Sequence, residues 1–160
     1  MDVIADIKHY FGFLFERGFR IRSIRHDAGS WIVGLESQDI LIDITNDRGE
    51  ILLSAGNRDC KEKDEKDEMC FFDIGTLVFY ISEGKIFVES FSGDLREKDK
   101  QFQRLAKILA DYIDEIIVIV GKDFEKHKVN LLQTRKVLRA LCLQRHALYL
   151  ERGDSSKKSP

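Results

Sequence analysis

The stretch from Phe19 to Ala55 constrains the fold of this chain more than any other. It reads FRIRSIRHDAGSWIVGLESQDILIDITNDRGEILLSA, and apolar side chains occupy every second position in its central runs. This period of two, in β-branched and aromatic residues, is typical of strands that bury one face. Gly, Asn, Asp and Ser separate the runs, and loops this short join only antiparallel neighbours. The sequence therefore predicts an antiparallel meander with strands near 19–26, 31–37, 40–45 and 50–55.

The segments on either side of this stretch have helical periodicity. Residues 2–17 carry an apolar stripe, and Gly18 stands where a helix ends. A second stripe runs from about 95 to 120 and is closed by Gly121. A third helix follows, capped by Asp123 and ending before Gly153, and it runs through the apolar residues Phe124, Leu131, Leu138 and Leu141. The predicted fold class is therefore α+β: an antiparallel β-meander of about four strands, covered by an N-terminal helix, with a C-terminal α-helical hairpin.

The segments between the meander and the helical hairpin are less regular. Residues 57–68 are almost entirely polar or charged, which predicts a solvated, mobile loop. Residues 69–82 favour a helix capped by Asp73, with strands over Phe71-Phe72 and Val78-Phe79-Tyr80 as the alternative, and 85–90 favour a short strand. One core suffices for a chain of 160 residues. We therefore expect a single domain over 1–151, made of helix plus sheet (1–94) and helical hairpin (95–151), followed by a disordered tail over 152–160.

Composition and cysteine pattern favour a soluble, cytoplasmic protein. The first residues lack the basic and apolar regions of a signal peptide, and the longest apolar run, 116–120, is too short to span a membrane. The three cysteines, Cys60, Cys70 and Cys142, form no C-x-x-C pair. This pattern favours reduced thiols over a disulfide framework or a zinc site.

Charge is distributed unevenly along the chain. Residues 1–121 hold 16 Lys/Arg against 24 Asp/Glu, whereas residues 122–160 hold 10 against 4. The acidic part places carboxylates on and around the predicted hairpins, and the candidate partner-binding residues are Glu36, Asp39, Asp43 and Asp47, with Glu50 beside them. The structural alternative is a set of turn-forming and solvated side chains. A calcium loop is not indicated, because Arg48 stands where its pattern needs Gly.

The basic part of the chain is concentrated in the last predicted helix. A basic helix can lie along phosphate groups, and the residues predicted to do so are Arg135, Lys136 and Arg139. The structural alternative is that these charges pair with the acidic body. Binding of nucleic acid or of a phosphate ligand is therefore the second functional hypothesis.

Local motifs for catalysis, metal binding and nucleotide binding are absent from the sequence. There is no G-x-G-x-x-G or G-x-x-x-x-G-K-[ST], and the four histidines have no ligand spacing. Catalytic triads are spatial, so an enzyme whose site forms only in three dimensions is a third hypothesis. The sequence predicts a protein without enzymatic activity, metal or cofactor.

Several short motifs fall together in the first 55 residues. A helix ends at Phe19 after Arg17-Gly18, the strands contain Leu35-Glu36-Ser37 and Ile42, and a turn is formed by Asp47-Arg48-Gly49. With these features the segment resembles small bacterial immunity proteins, which neutralise secreted toxins by direct binding. The resemblance implies a bacterial, non-enzymatic binding protein whose acidic face engages a basic toxin. Residues 95–160 have no part in it.

The first functional hypothesis is therefore a cytosolic protein-binding module, of the immunity type if the resemblance holds. The acidic face or the charged loop 57–68 would form its binding surface. The run 116–120 is more apolar than one small sheet needs for cover, which predicts a homodimer through the C-terminal helices.

Overall fold

The computed structural model describes residues 2–59, 70–88 and 97–155. In chain order its elements are α1 (Val3–Tyr10), α2 (Gly12–Glu16), β1 (Arg20–Asp27), β2 (Ser30–Glu36), β3 (Ile40–Asp47), β4 (Glu50–Asn57), β5 (Phe71–Asp73), α3 (Ile74–Ile81), α4 (Lys98–Val120) and α5 (Phe124–Ser155). The predicted α+β fold is confirmed, with an antiparallel meander, an N-terminal helical segment and a C-terminal helical hairpin.

The five strands form one antiparallel sheet in the order β1-β2-β3-β4-β5. Two of its hairpins close through two-residue turns with positive φ at both positions: Ala28 and Gly29 (38° and 90°), and Arg48 and Gly49 (53° and 101°). Positive φ at both turn residues is the type I′ geometry that matches the twist of the flanking strands. The strands therefore run closer to their turns than predicted, and β5 adds the Phe71-Phe72 strand that the sequence left as an alternative.

The N-terminal helix is interrupted, so the prediction of one helix over 2–17 is wrong in this respect. Asp2 caps α1 by accepting a hydrogen bond from the Ile4 amide at 3.0 Å. Phe11 leaves helical geometry at φ −110° and ψ 26°, and α2 follows it directly. Phe11 is fully buried, so the break turns a large side chain into the core. Gly18 ends the segment with φ 84°, as predicted.

The later elements confirm some boundaries and correct others. Asp73 caps α3 by accepting from the Thr76 amide at 2.9 Å, as predicted. Residues 85–88 form no strand, and α4 begins at Lys98 instead of near 95. α5 continues past Gly153, so 152–155, predicted as disordered tail, are helical. The predicted loop and tail segments 60–68 and 156–160, and the end of the predicted strand at 89–90, lie outside the described residues.

The core lies between one face of the sheet and α1, α2 and α4. The sheet contributes every second residue of its strands, among them Val33, Leu35, Ile42, Ile44, Leu53 and Ala55. Phe102 of α4 stacks on Tyr10 at 5.0 Å and on Trp31 at 6.3 Å between ring centroids. This aromatic group joins the N-terminal helices, the sheet and α4, and burial of its apolar surface is a main source of stability.

Side chain–backbone hydrogen bonds fix α4 to the sheet at both ends. Near its start, Gln101 accepts from the Ile51 amide at 2.9 Å and donates to the Gly49 carbonyl at 3.0 Å. At its end, the Asn57 side chain donates to the carbonyls of Val120 (2.8 Å) and Gly121 (3.1 Å). The register of α4 against β4 is therefore set by polar contacts as well as by packing.

The cysteines depart from expectation. Cys70, beside β5, is disulfide-bonded, whereas Cys142 on α5 is free and exposed. The prediction of reduced thiols is therefore wrong for Cys70. Within the described residues, no helix has the length and apolar character needed to cross a membrane.

Candidate partner-binding site

The sheet has a second face, which points away from the core. Side chains alternate between the two faces of a strand, so Leu41, Asp43, Thr45 and Asp47 of β3 point opposite to the core residues Ile40, Ile42 and Ile44. Three of the four predicted acidic residues lie on this outer face: Glu36, Asp43 and Asp47. The fourth, Asp39, lies in the exposed turn between β2 and β3.

Two of these acidic residues are already paired. Arg20 Nε lies 2.8 Å from Glu36 Oε1, directly across the β1–β2 ladder. Asp43 is 1% exposed, and its Oδ1 lies 3.7 Å from a guanidinium nitrogen of Arg22. A β-bulge at Arg22 places that residue next to Gly34 and Asp43, where the missing glycine side chain leaves room for it. Glu36 and Asp43 therefore stabilise the sheet locally and offer little charge to a partner.

Asp39 and Asp47 stand at opposite ends of β3. They are eight positions apart, which corresponds to about 26 Å along a strand. The four predicted residues therefore do not form one continuous acidic surface. Asp47 differs from Glu36 and Asp43 because it is exposed and has no Lys or Arg partner within the described residues.

Asp47 belongs to a row of carboxylates across the hairpin end of the outer face. Asp27 lies opposite Ser30 in the β1–β2 ladder, and Asp47 lies opposite Glu50 in the β3–β4 ladder. Ser30 connects the two hairpins, because its hydroxyl donates to Asp47 Oδ1 at 3.2 Å. We call Asp27, Asp47 and Glu50, with Ser30 between them, the acidic row. In the described part of the chain, none of its three carboxylates forms an ion pair.

The central feature of the acidic row is the like-charged pair Asp47–Glu50. Like charges directly opposite each other across two strands are destabilising. Burial raises the pKa of the Glu50 carboxyl, and the neighbouring Asp47 charge raises it further. The row therefore contains local repulsion that the folded protein itself does not relieve.

The sequence contained a signal for this arrangement. The predicted strands 40–45 and 50–55 leave a four-residue loop over 46–49, in which Asp47 and Glu50 are not a directly opposed pair. The observed turn uses Arg48 and Gly49 alone, and it makes Asp47 and Glu50 the closing pair of the hairpin. The tetrapeptide Asp-Arg-Gly-Glu between two strand-like runs would have indicated that pairing, because two-residue hairpin turns end in Gly so often.

The basic residues of α5 do not act together. Arg135 is 8% exposed; its guanidinium donates to the Phe71 carbonyl and stacks on the Phe72 ring at 4.2 Å. Lys136 and Arg139 are exposed on other sides of the helix. The expectation that Arg135 contributes to an exposed phosphate-binding surface is therefore wrong: its charge holds α5 against β5.

The exposure of apolar side chains differs along the two helices of the hairpin. Within 116–120, Ile116 and Val120 are fully buried, and only Val118 exceeds one third exposure. The core thus accounts for the run on which the predicted homodimer rested. Leu141, which the predicted helix also includes, is 38% exposed.

Tyr80 and His127 share a half-buried hydrogen bond of 2.8 Å between the tyrosine hydroxyl and Nδ1, which joins α3 to α5. Among residues 2–59, 70–88 and 97–155, no group of three or more His, Cys, Asp or Glu side chains could hold a metal ion. Comparison with protein-family models, curated proteins and solved structures finds no match for this chain.

Proposed function

We propose that this protein is a non-enzymatic binding module that recognises a basic surface of another protein through its acidic row. One observation carries the proposal: Asp27, Asp47 and Glu50 lie in one row, with Ser30 between the first two, and form no ion pair among the described residues, and Asp47 and Glu50 repel each other across the hairpin. Features that break the local rules of stability are found mainly at functional sites. A Lys or Arg from a partner would relieve this repulsion.

The geometry suits recognition of a protein better than recognition of an ion. The three carboxylates are spread over β1, β3 and β4, with neighbouring strands about 4.8 Å apart, so they do not converge on a point. A row of this kind can meet several basic side chains on one surface. Complementary charge would speed association and select the partner. The resemblance of residues 1–55 to immunity proteins suggests a basic toxin as that partner.

The test compares two doubly neutralised variants in pull-downs from the native cells. D47N/E50Q removes the repelling pair, and the control E16Q/E115Q removes two exposed carboxylates from α2 and α4. Both variants change the net charge equally, so a general charge effect would appear in both. We expect a stoichiometric protein partner with wild type and with the control, and a large loss with D47N/E50Q.

Salt gives an independent measurement on the same complex. Raising ionic strength from about 0.1 M to about 1 M shortens the Debye length from roughly 10 Å to roughly 3 Å, and should release the partner. Equal capture by both variants at every salt concentration would contradict the proposal. Binding of nucleic acid, the alternative proposal, would now depend on Lys136 and Arg139 without Arg135, and nucleic acid in the eluate would favour it.

A further inference from the structure

The outer face of the sheet carries a second row of side chains beside the acidic row. Ile32, Thr45 and Leu52 lie directly opposite one another across β2, β3 and β4. Each stands two residues along its strand from the acidic row, which corresponds to roughly 7 Å. We call Ile32, Thr45 and Leu52 the middle row.

The middle row is apolar surface that the core does not use. Leu52 is 39% exposed, and Ile32 and Thr45 are half-buried. Neither Ile32 nor Leu52 packs against the described core, because their side chains point to the opposite face of the sheet. Sheet faces that carry apolar side chains are commonly covered by a second layer of helix or sheet, as α4 covers the core face here.

The charges beside the middle row differ between its two sides. The acidic row stands on one side, and its carboxylates form no ion pair among the described residues. On the other side, the next carboxylate along β3 is Asp43, which is buried beside Arg22. Arg25 in β1 and Arg48 in the turn are exposed, and neither pairs with the acidic row. A surface that complements this face therefore has apolar side chains bordered on one side by Lys or Arg.

We infer that the middle row binds an amphipathic helix of the partner protein, with Lys or Arg along one border of its apolar side. The inference rests on the proposed function and names the element of the partner that meets the acidic row. Ile32 and Leu52 are two strands apart, roughly 10 Å, and two turns of a helix rise roughly 11 Å. Apolar residues at helical spacing therefore reach the whole middle row, while the basic border lies over Asp47 and Glu50.

Other occupants complement this face less well because of their charge. Nucleic acid and an anionic membrane both bring negative charge against the acidic row. A second copy bound by the same face would bring the carboxylates of two acidic rows into one interface. The charge of the face therefore favours a basic element of another protein.

Two helical peptides of identical composition test this geometry. Both carry Leu and Ala along one side; the first has its Lys residues along one border of that side, and the second has them on the opposite side of the helix. We expect fluorescence anisotropy at about 0.1 M salt to show the first peptide binding the full chain at least about tenfold more tightly. Only its Lys residues reach the acidic row while the apolar side covers the middle row.

Leu52 provides the matched variants. L52S and L52Q each make this exposed side chain polar, and each should lower the affinity for the first peptide about fivefold. L143S makes the same change at an exposed leucine of α5 and should leave the affinity unchanged. D47N/E50Q should also weaken binding at about 0.1 M salt, with a much smaller effect at about 1 M. Circular dichroism melts establish that each variant is folded.

The same variants in the pull-down separate this inference from the proposed function. We expect L52S, L52Q and D47N/E50Q all to reduce capture of the partner. If L52S and L52Q retain a partner that D47N/E50Q loses, the inference is overturned and the proposed function stands; retention by all three overturns both. Equal or absent binding of the two peptides, or an equal loss in L143S, would also overturn the inference. So would phosphatidylserine vesicles or a labelled duplex that bind in place of the first peptide, or a wild-type dimer in light scattering that L52S converts to monomer.

Discussion

The two long helices of this protein are attached to the rest of the chain in different ways. α4 is bonded to the sheet at both ends, through Gln101 and Asn57, and its apolar side is buried along its whole length. α5 packs against α3 and α4, and its residues 139–144 are all exposed. The first helix completes the core, whereas the second presents surface that the core does not use. We therefore expect substitutions of buried residues in α4 to lower the free energy of unfolding much more than substitutions of exposed residues in α5.

The largest expected difference between the two helices is in the loss of stability when Phe102 of α4 or Leu143 of α5 is replaced by alanine. Phe102 is fully buried between Tyr10, Phe11 and Trp31, so F102A should lower the free energy of unfolding by about 3–5 kcal/mol. Leu143 is 71% exposed, and L143A should change it by less than about 0.5 kcal/mol. Urea denaturation of both variants measures the difference. A loss in L143A that approaches the loss in F102A would mean that α5 packs against the body as α4 does.

Arg135 is a residue of α5 that we expect to contribute to the stability of the fold, because it contacts β5. R135A removes a charge-assisted hydrogen bond to the Phe71 carbonyl and the contact with the Phe72 ring, which together should cost about 2–3 kcal/mol of unfolding free energy. K136A, one residue on but exposed, should cost less than about 0.5 kcal/mol. Equal stability of the two variants would show that the sheet holds α5 by apolar contacts alone.

The contrast between Arg135 and Lys136 shows what the sequence could and could not predict. The strands β2 and β3 and the helix α4 each bury one face. The spacing of apolar residues in the sequence shows such a face directly, so these elements could be predicted. The direction of the Arg135 side chain depends on the Phe71 carbonyl and the Phe72 ring that face it, and the sequence predicted a strand at these two residues only as the alternative to a helix. The same limit applies to Phe11, whose burial breaks a helix that the apolar pattern alone would continue.

The acidic row shows which carboxylates of the candidate site the sequence could not predict. Counting carboxylates found Asp47 but gave equal weight to Glu36 and Asp43, because their partners Arg20 and Arg22 are fixed by strand register and a bulge. A difference of two residues in turn length decided whether Asp47 faces Glu50. Charge composition therefore predicted the sign of the surface, and register decided which carboxylates belong to it.

Gln101 provides a smaller test of the attachment of α4. Q101A leaves the buried Ile51 amide without its acceptor, which should cost about 1.5 kcal/mol of unfolding free energy. Q133A, on the outer side of α5, should be neutral within about 0.5 kcal/mol. Chemical denaturation measures both. If Q101A is as stable as Q133A, packing alone sets the position of α4.

The smallest expected effect is a gain in stability at the β3–β4 hairpin, to which Gln101 is hydrogen-bonded. E50Q removes one charge of the Asp47–Glu50 pair, and relief of a like-charged cross-strand contact should raise the free energy of unfolding by about 0.5 kcal/mol at neutral pH. D47N should act in the same direction, since its side-chain oxygen can still accept from Ser30. E83Q, at an exposed residue beside Lys85, is the control and should give no gain.

The pH dependence of this gain identifies its cause. Burial and Asp47 raise the pKa of Glu50 in the folded protein, so the folded state binds the Glu50 proton more tightly than the unfolded state does. The penalty for ionised Glu50 is then fully present above the folded pKa and disappears as pH falls through it towards the ordinary glutamate range, about 4 to 5. The stability difference between E50Q and wild type should therefore shrink from pH 7 to pH 4. A gain that stays constant over that range would come from packing of the glutamine, and the acidic row would then hold no repulsion for a basic partner to relieve.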